Sequence, residues 1–158
     1  MRGALRAGAG AAVAALIAAG LPAGASAAKA SARCPVAVAP AEEAAMTALI
    51  NSERRAKPAP KLRVDKKLLR AGRTKSIAMA RGGRFAHSGG LPWANGRAGG
   101  QNIAMANSAA GAFAAMLGSP GHRSNILSRD WRFLGAAAAR SCDGMVFFTL
   151  NFLGPPPR

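Results

Sequence analysis

Only two histidines occur in this chain, and each lies in a short run rich in Gly, Ser and Arg. His87 stands in Arg84-Phe85-Ala86-His87-Ser88-Gly89-Gly90, and His122 in Ser119-Pro120-Gly121-His122-Arg123-Ser124-Asn125-Ile126-Leu127. Imidazole titrates near neutral pH and is the commonest metal ligand, so acid–base or metal chemistry would be sought at these two places. Between them lies Gly99-Gly100-Gln101-Asn102-Ile103-Ala104. No carboxylate occurs between Asp65 and Asp130, so the stretch that holds both imidazoles supplies no acid of its own. Ser88, Ser119 and Ser124 neighbour the histidines, but a triad needs an orienting acid and Gly-x-Ser-x-Gly is absent. Ser119 and Ser124 read more simply as caps of the turn at Pro120-Gly121 and of a short helix after it.

Helices come first along the chain. Pro40 and Glu42-Glu43 signal a helix start, and Met46, Leu49, Ile50 and Glu53 give one face up to Arg55. Pro58-Ala59-Pro60 ends it. Asp65 can cap a second helix running to about Arg81, with Leu68, Leu69, Gly72, Ser76 and Met79 as its narrow buried side. The glycines at 82 and 83 stop that helix just before His87, and residues 88–100, with five glycines and Pro92, read as a loop. Asn107 or Ser108 can cap a third helix through Leu117. The period then changes: 133–140 is a small apolar run and 145–152 is strand-like, with the turn signal Ser141-Cys142-Asp143-Gly144 between them. Helices followed by an antiparallel pair imply an α+β layered domain.

The N-terminus reads as an export signal. Arg2 and Arg6 precede an uncharged run from Ala7 to Ala28 that ends in Ala25-Ser26-Ala27, so 1–27 is expected to be a signal peptide. The run is mostly Ala and Gly, poorer in Leu, Ile and Phe than an inserted helix, and no membrane span is expected in the mature chain. Residues 28–40 would be an N-terminal extension, 41–153 the domain and 154–158 a Pro-rich tail. An oxidising compartment would allow Cys34 and Cys142 to pair, closing a loop of roughly 100 residues worth up to ~4–5 kcal/mol. Two buried thiols are the alternative.

The chain carries 22 Lys and Arg against 6 Asp and Glu, a net charge of +16. Lys66, Arg70, Arg73, Arg81 and Arg84 recur at helical spacing and would make a cationic face able to attract anionic lipid or envelope polymer, or else a merely solvated one. With no tyrosine and 5% aromatic residues, nothing resembles a stacking platform, which argues against nucleic acid as the partner.

Six pieces in order carry a resemblance: Leu49-Ile50-Asn51-Ser52-Glu53-Arg54, Phe85-Ala86-His87-Ser88, Gly100-Gln101-Asn102-Ile103-Ala104, the Ser119–Leu127 run, Trp131-Arg132-Phe133-Leu134-Gly135 and Phe148-Thr149-Leu150-Asn151-Phe152. Together they resemble the CAP superfamily (cysteine-rich secretory proteins, antigen 5 and plant pathogenesis-related class 1 proteins), and within it the short secreted bacterial branch. The resemblance implies a three-layer α-β-α sandwich with a small antiparallel sheet, a C-terminal hairpin and a cleft of two histidines and two acids. The histidine positions carry over to His87 and His122. The acid positions hold Gln101 and Ser119, with Met116 where the family's helix tryptophan stands.

Gln keeps the length of Glu but cannot take a proton at neutral pH and adds no negative charge. Zinc sites draw at least three ligands from His, Cys and carboxylate, so His87 and His122 would make at best a weak divalent (Zn²⁺) site, and no cofactor is required. The sequence therefore points to a secreted, monomeric, non-enzymatic binding module for an envelope component, a lipid or a partner protein. A His-dependent, metal-assisted hydrolase and a polyanion-binding basic protein are the alternatives.

Overall fold

The structure, a computed structural model, describes residues 35–156; the expected signal peptide and Cys34 lie outside them. Helix α1 (Pro40–Ala56) starts with Pro at its first position, and carries Glu42 and Glu43 in its first turn and Arg54 and Arg55 in its last, complementing its dipole at both ends. Helix α2 (Lys66–Ala80) is capped by Asp65, whose carboxylate accepts from Lys67 N at 2.8 Å and Leu68 N at 3.0 Å. Helix α3 (Ala109–Gly118) is capped twice: Ser108 Oγ accepts from Gly111 N, and Glu42 of α1 accepts from Ala109 N at 2.7 Å. A second proline start, at Pro120, opens the short helix α4 (Pro120–Leu127).

Five strands form the sheet: β1 (Ala37–Val38), β2 (Arg63–Val64), β3 (Gly99–Ala106), β4 (Phe133–Arg140) and β5 (Val146–Leu153). The order is β1-β4-β5-β3, with β2 also beside β4. The expected C-terminal hairpin is β4–β5, in register from Phe133↔Leu153 to Arg140↔Val146, and β3 lies antiparallel along β5. The small antiparallel sheet is as expected, with one addition, β2, which pairs parallel with β4. Two boundaries differ. Residues 37–38, taken as extension, pair with Arg140 and Ala139. The expected loop ends at Gly99, because β3 begins there, and within it Pro92–Ala94 makes a 3₁₀ turn. A strand that opens on two glycines gives little β signal by propensity.

Strand pleating sends alternate residues to opposite faces and so builds the layers. Leu134, Ala136, Ala138, Val146, Phe148, Leu150 and Phe152 meet Met46 and Ile50 of α1, Ala112 and Met116 of α3 and Ile126 of α4 in the main core. The opposite face receives α2 almost without large apolar side chains. There Ser76 Oγ donates to Thr149 Oγ1 at 2.9 Å, and Asn151 Nδ2 donates to the Leu68 carbonyl at 3.0 Å. These bonds reach because glycines let backbone approach backbone: a Cβ at Gly135 would lie 2.3 Å from Leu68 C, and one at Gly72 2.7 Å from Ala137 Cβ.

The buried face of α1 differs from the expected one: Leu49 and Glu53 are half-buried, whereas Asn51 and Arg54 are buried. Both polar side chains grip backbone. Asn51 pairs with Leu62 through both amide groups, accepting from its N at 2.8 Å and donating to its carbonyl at 3.2 Å. Arg54, fully buried, donates from Nε to Pro60 O at 2.7 Å and from Nη1 to Ile126 O at 2.7 Å and Ser128 O at 2.8 Å. Burial, and then the charge of Arg132, lower its pKa, but a guanidinium stays charged, and the carbonyls offset part of its desolvation. Arg54 thereby fixes the C-terminal end of α4.

Gly135→Ala should force β4 and α2 apart. Overpacking of this kind costs about 1–3 kcal/mol, readable as a lowered urea midpoint; an unchanged midpoint would show that the helix does not sit on the strand this closely.

Candidate functional site: the two-histidine cleft

Two adjacent residues of β3 hold the two histidine segments, one on each face of the sheet. Gln101 points to the α2 face, where Oε1 accepts from Ser88 N at 2.9 Å and Nε2 donates to Ser88 Oγ at 3.1 Å and to Asn151 Oδ1 at 3.0 Å. That fastens the residue next to His87. Asn102, fully buried, points to the opposite face and donates Nδ2 to the His122 carbonyl at 2.9 Å. Its Oδ1 accepts from Asn125 Nδ2, one turn further along α4, at 2.8 Å. Because β3 is the last strand of the sheet, the two segments wrap around its unpaired edge and bring the imidazoles together. Their ring centroids lie 6.3 Å apart at 45°.

His87 is exposed and His122 half-buried. Burial, and secondarily the charge of His87, lower the pKa of His122. Neither imidazole makes a side-chain hydrogen bond among the described residues, and no serine is bonded to either ring: Ser88 Oγ accepts from Gln101, and Ser124 Oγ donates to Gly121 O at 2.8 Å. Ser119 stands at the N-cap of α4, where its carbonyl accepts from Arg123 N at 2.8 Å and its hydroxyl makes no cap bond. Ser124, not Ser119, therefore serves the turn through its side chain.

The structure brings His87, His122 and the Gln101-Asn102 pair to one end of the sandwich. Among the described residues no three His, Cys, Asp or Glu side chains gather as a metal could require. The donor set is thus two imidazoles and neutral groups, and the one atom Gln101 could offer a cation, Oε1, already accepts from Ser88 N. Of the basic residues, Lys66, Arg70, Arg81 and Arg84 are exposed. Arg73 is instead paired with buried Glu43 through two bonds, 2.9 and 2.5 Å, which raise its pKa. Cys142 lies exposed in the β4–β5 turn, and among the described residues no cysteine is free.

The amides Asn102, Asn125 and Asn151 were present in the sequence runs but carried no assigned role. Their signal was polarity at positions that strand alternation or helix period places inside.

A three-layer sandwich with two imidazoles facing each other around the sheet edge is the architecture expected of CAP-type domains. The chain belongs to this family: the model of the cysteine-rich secretory protein (CAP) family matches residues 47–152. Among solved structures it is similar to an extracellular SCP-domain protein of Bacillus anthracis, with 24% identity and a TM-score of 0.63 over 73% of this chain and 41% of that one. It is also similar to an outer surface protein of Borrelia burgdorferi, with 16% identity and a TM-score of 0.66 over 72% and 92%. A third likeness is to a cysteine-rich secretory protein of Staphylococcus aureus, with 20% identity and a TM-score of 0.60 over 73% and 39%. At these identities the likeness shows the fold, and this chain spans about two fifths of the Bacillus and Staphylococcus proteins. Among curated protein sequences none matches significantly.

Two predictions follow from this geometry. Gln101→Glu would place a carboxylate against Asn151 Oδ1, and Asn151 cannot turn its amide without losing Leu68 O. The loss should be about 1–3 kcal/mol at neutral pH. Such a site favours the protonated carboxyl, so its folded pKa is raised and part of the loss relative to the parent should return as pH falls. Urea melts at several pH values decide it; equal stability at neutral pH would refute the amide lock. In NMR titrations His122 should ionise below the ordinary histidine value, and His87→Ala should move it upward. With a lowered folded pKa the unfolded chain binds the proton more readily. The His122 contribution is therefore complete above the ordinary histidine pKa and falls away as pH drops to the folded value.

Proposed function

We propose that the chain is a secreted, non-enzymatic binding module whose cleft is built around His87 and His122. The observation that carries this reading is the state of Gln101. Its three hydrogen-bonding partners are all intramolecular, so at the position where the family resemblance implies an acid there is neither a proton carrier nor an anionic ligand for a cation. Two imidazoles 6.3 Å apart without a carboxylate lack the orienting acid of a triad and the third ligand of a zinc site. A strongly positive chain further disfavours a divalent cation. The partner on this reading is an anionic envelope component, a lipid or a protein.

Export fits this role. The neighbours in fold are described as extracellular, outer-surface or secretory proteins, and the proposed signal peptide at 1–27 would send this chain the same way. No helix among the described residues is long and apolar enough to cross a membrane. A Cys34–Cys142 disulfide is part of the proposal and would tie the segment ahead of β1 to the β4–β5 turn. The polyanion reading keeps one supporting observation, the exposure of Lys66, Arg70, Arg81 and Arg84 on and just beyond α2. It differs in requiring binding that collapses steeply with salt.

The chemical test is a calorimetric titration of Zn²⁺ into the purified chain, run beside incubation with cell-wall polymer and lipid vesicles. The expected result is no submicromolar Zn²⁺ binding, and retention on one of the envelope fractions without release of product. Submicromolar binding abolished by His87→Ala, or turnover lost in that variant, would overturn the proposal in favour of a hydrolase.

A further inference from the structure

Two concavities flank one tryptophan on the α2 side of the sheet, away from the main core. The larger, about 550 Å³, lies between α2 and the loop before β3 and is lined by Thr74, Lys75, Ser88, Gly89, Gly90 and Trp93. A smaller one, about 340 Å³, is lined by Lys66, Lys67, Asn95, Arg97 and again Trp93. Both follow the same helix. Lys66 and Lys75 are nine residues apart, roughly 13 Å along the axis, and the half-buried Trp93 lines both pockets, so the pair can serve as one channel for a ligand seated against that ring.

Four of the five charged side chains that line this channel are cationic: Lys66, Lys67, Lys75 and Arg97. Ser88 Oγ already accepts from Gln101 Nε2, which leaves its hydroxyl proton free for another partner. Lys75, Lys66 and Lys67 make no hydrogen bond or ion pair through their ammonium groups among the described residues. Arg97 is held in place: Nη2 donates to Gly154 O, and the guanidinium lies 5.2 Å over the Phe133 ring. Its Nη1 is left without an intramolecular partner, a fixed donor of the kind that recognises carboxylate or phosphate. Asp65 is the one carboxylate in either lining; its Oδ1 caps α2, and the four cations of the same linings outweigh its charge. An aromatic ring flanked by unengaged donors suits a ligand with an apolar face and acceptor-rich, anionic edges.

We propose that this channel binds an anionic saccharide, a pyranose stacked on Trp93 with its carboxylate between Lys75 and Ser88 and a further acidic unit reaching Arg97. The inference rests on the binding-module reading for its extracellular setting, but it does not use the histidines.

The test follows the heat of binding by calorimetry while the full chain is titrated with N-acetylmuramic acid, with N-acetylglucosamine (the same ring without the lactyl carboxylate) and with glycerol 3-phosphate (charge without the ring). Saturable binding of the muramyl sugar is expected, at least tenfold weaker for the other two. Lys75→Ala should weaken it about tenfold and Trp93→Phe severalfold, while Arg129→Ala, an equal loss of charge on the exposed surface elsewhere, should leave it unchanged. Circular dichroism confirms that each variant is folded. Equal binding of glycerol 3-phosphate, no effect of Lys75→Ala, no saturable binding, or tighter binding of an oligothymidylate would each overturn the proposal. Loss of sugar binding with envelope retention intact would sink this inference alone and leave the binding module standing.

Discussion

The close seating of helix α2 on strand β4 is the constraint from which the rest of the architecture follows. Gly135 and Gly72 remove the side chains that would hold helix and strand apart, and Ala137 completes the flat contact. With few large apolar groups at this interface, Leu68 and Leu153 among them, much of its attraction comes from dense backbone packing and from polar bonds that only such proximity permits. Ser76 reaches Thr149 and Asn151 reaches the Leu68 carbonyl for that reason. The orientation of Asn151 then decides what its oxygen presents to β3, and hence which side chain can stand at position 101.

The cleft is therefore connected to the core by a chain of amides. From Leu68 O the sequence of bonds runs through Asn151 and Gln101 to Ser88, beside His87. On the other face it runs from Asn125 through Asn102 to the backbone of His122. Each amide gives and accepts in a fixed sense, so a substitution that reverses a donor leaves two acceptors facing each other. Gln101 is in this light a structural necessity of its neighbours as much as a vacancy in a catalytic set. The far end of α4 is held just as firmly, by the buried guanidinium of Arg54.

Much of this was legible in the residues. Helix starts announced themselves through Pro40, Asp65 and Ser108, and the β4–β5 hairpin through its change of period, because those signals are local. The conjunction of His87 and His122 came from the ordered family motifs, since no local rule brings together residues 35 positions apart in the chain. What escaped was tertiary. Strand β3 opens on Gly99-Gly100, whose lack of side chains serves the close approach of Trp93 and Trp131 and erases the strand signal. Strands β1 and β2, two residues each, exist only because β4 offers an edge. Asn51 and Arg54 sit on the buried face of α1 against expectation, for their partners are carbonyls that no pattern of side chains reveals.

The composition of the cleft walls has one more consequence. The groups that fasten the two histidine segments are amides, a serine and backbone atoms, none of which exchanges a proton between strongly acidic and strongly alkaline conditions. The imidazole of His122, whose pKa burial lowers, is the group beside them that answers to pH. The atoms that fasten the cleft and the atoms that can charge it are thus different ones, whereas carboxylates in the walls would carry both duties at once.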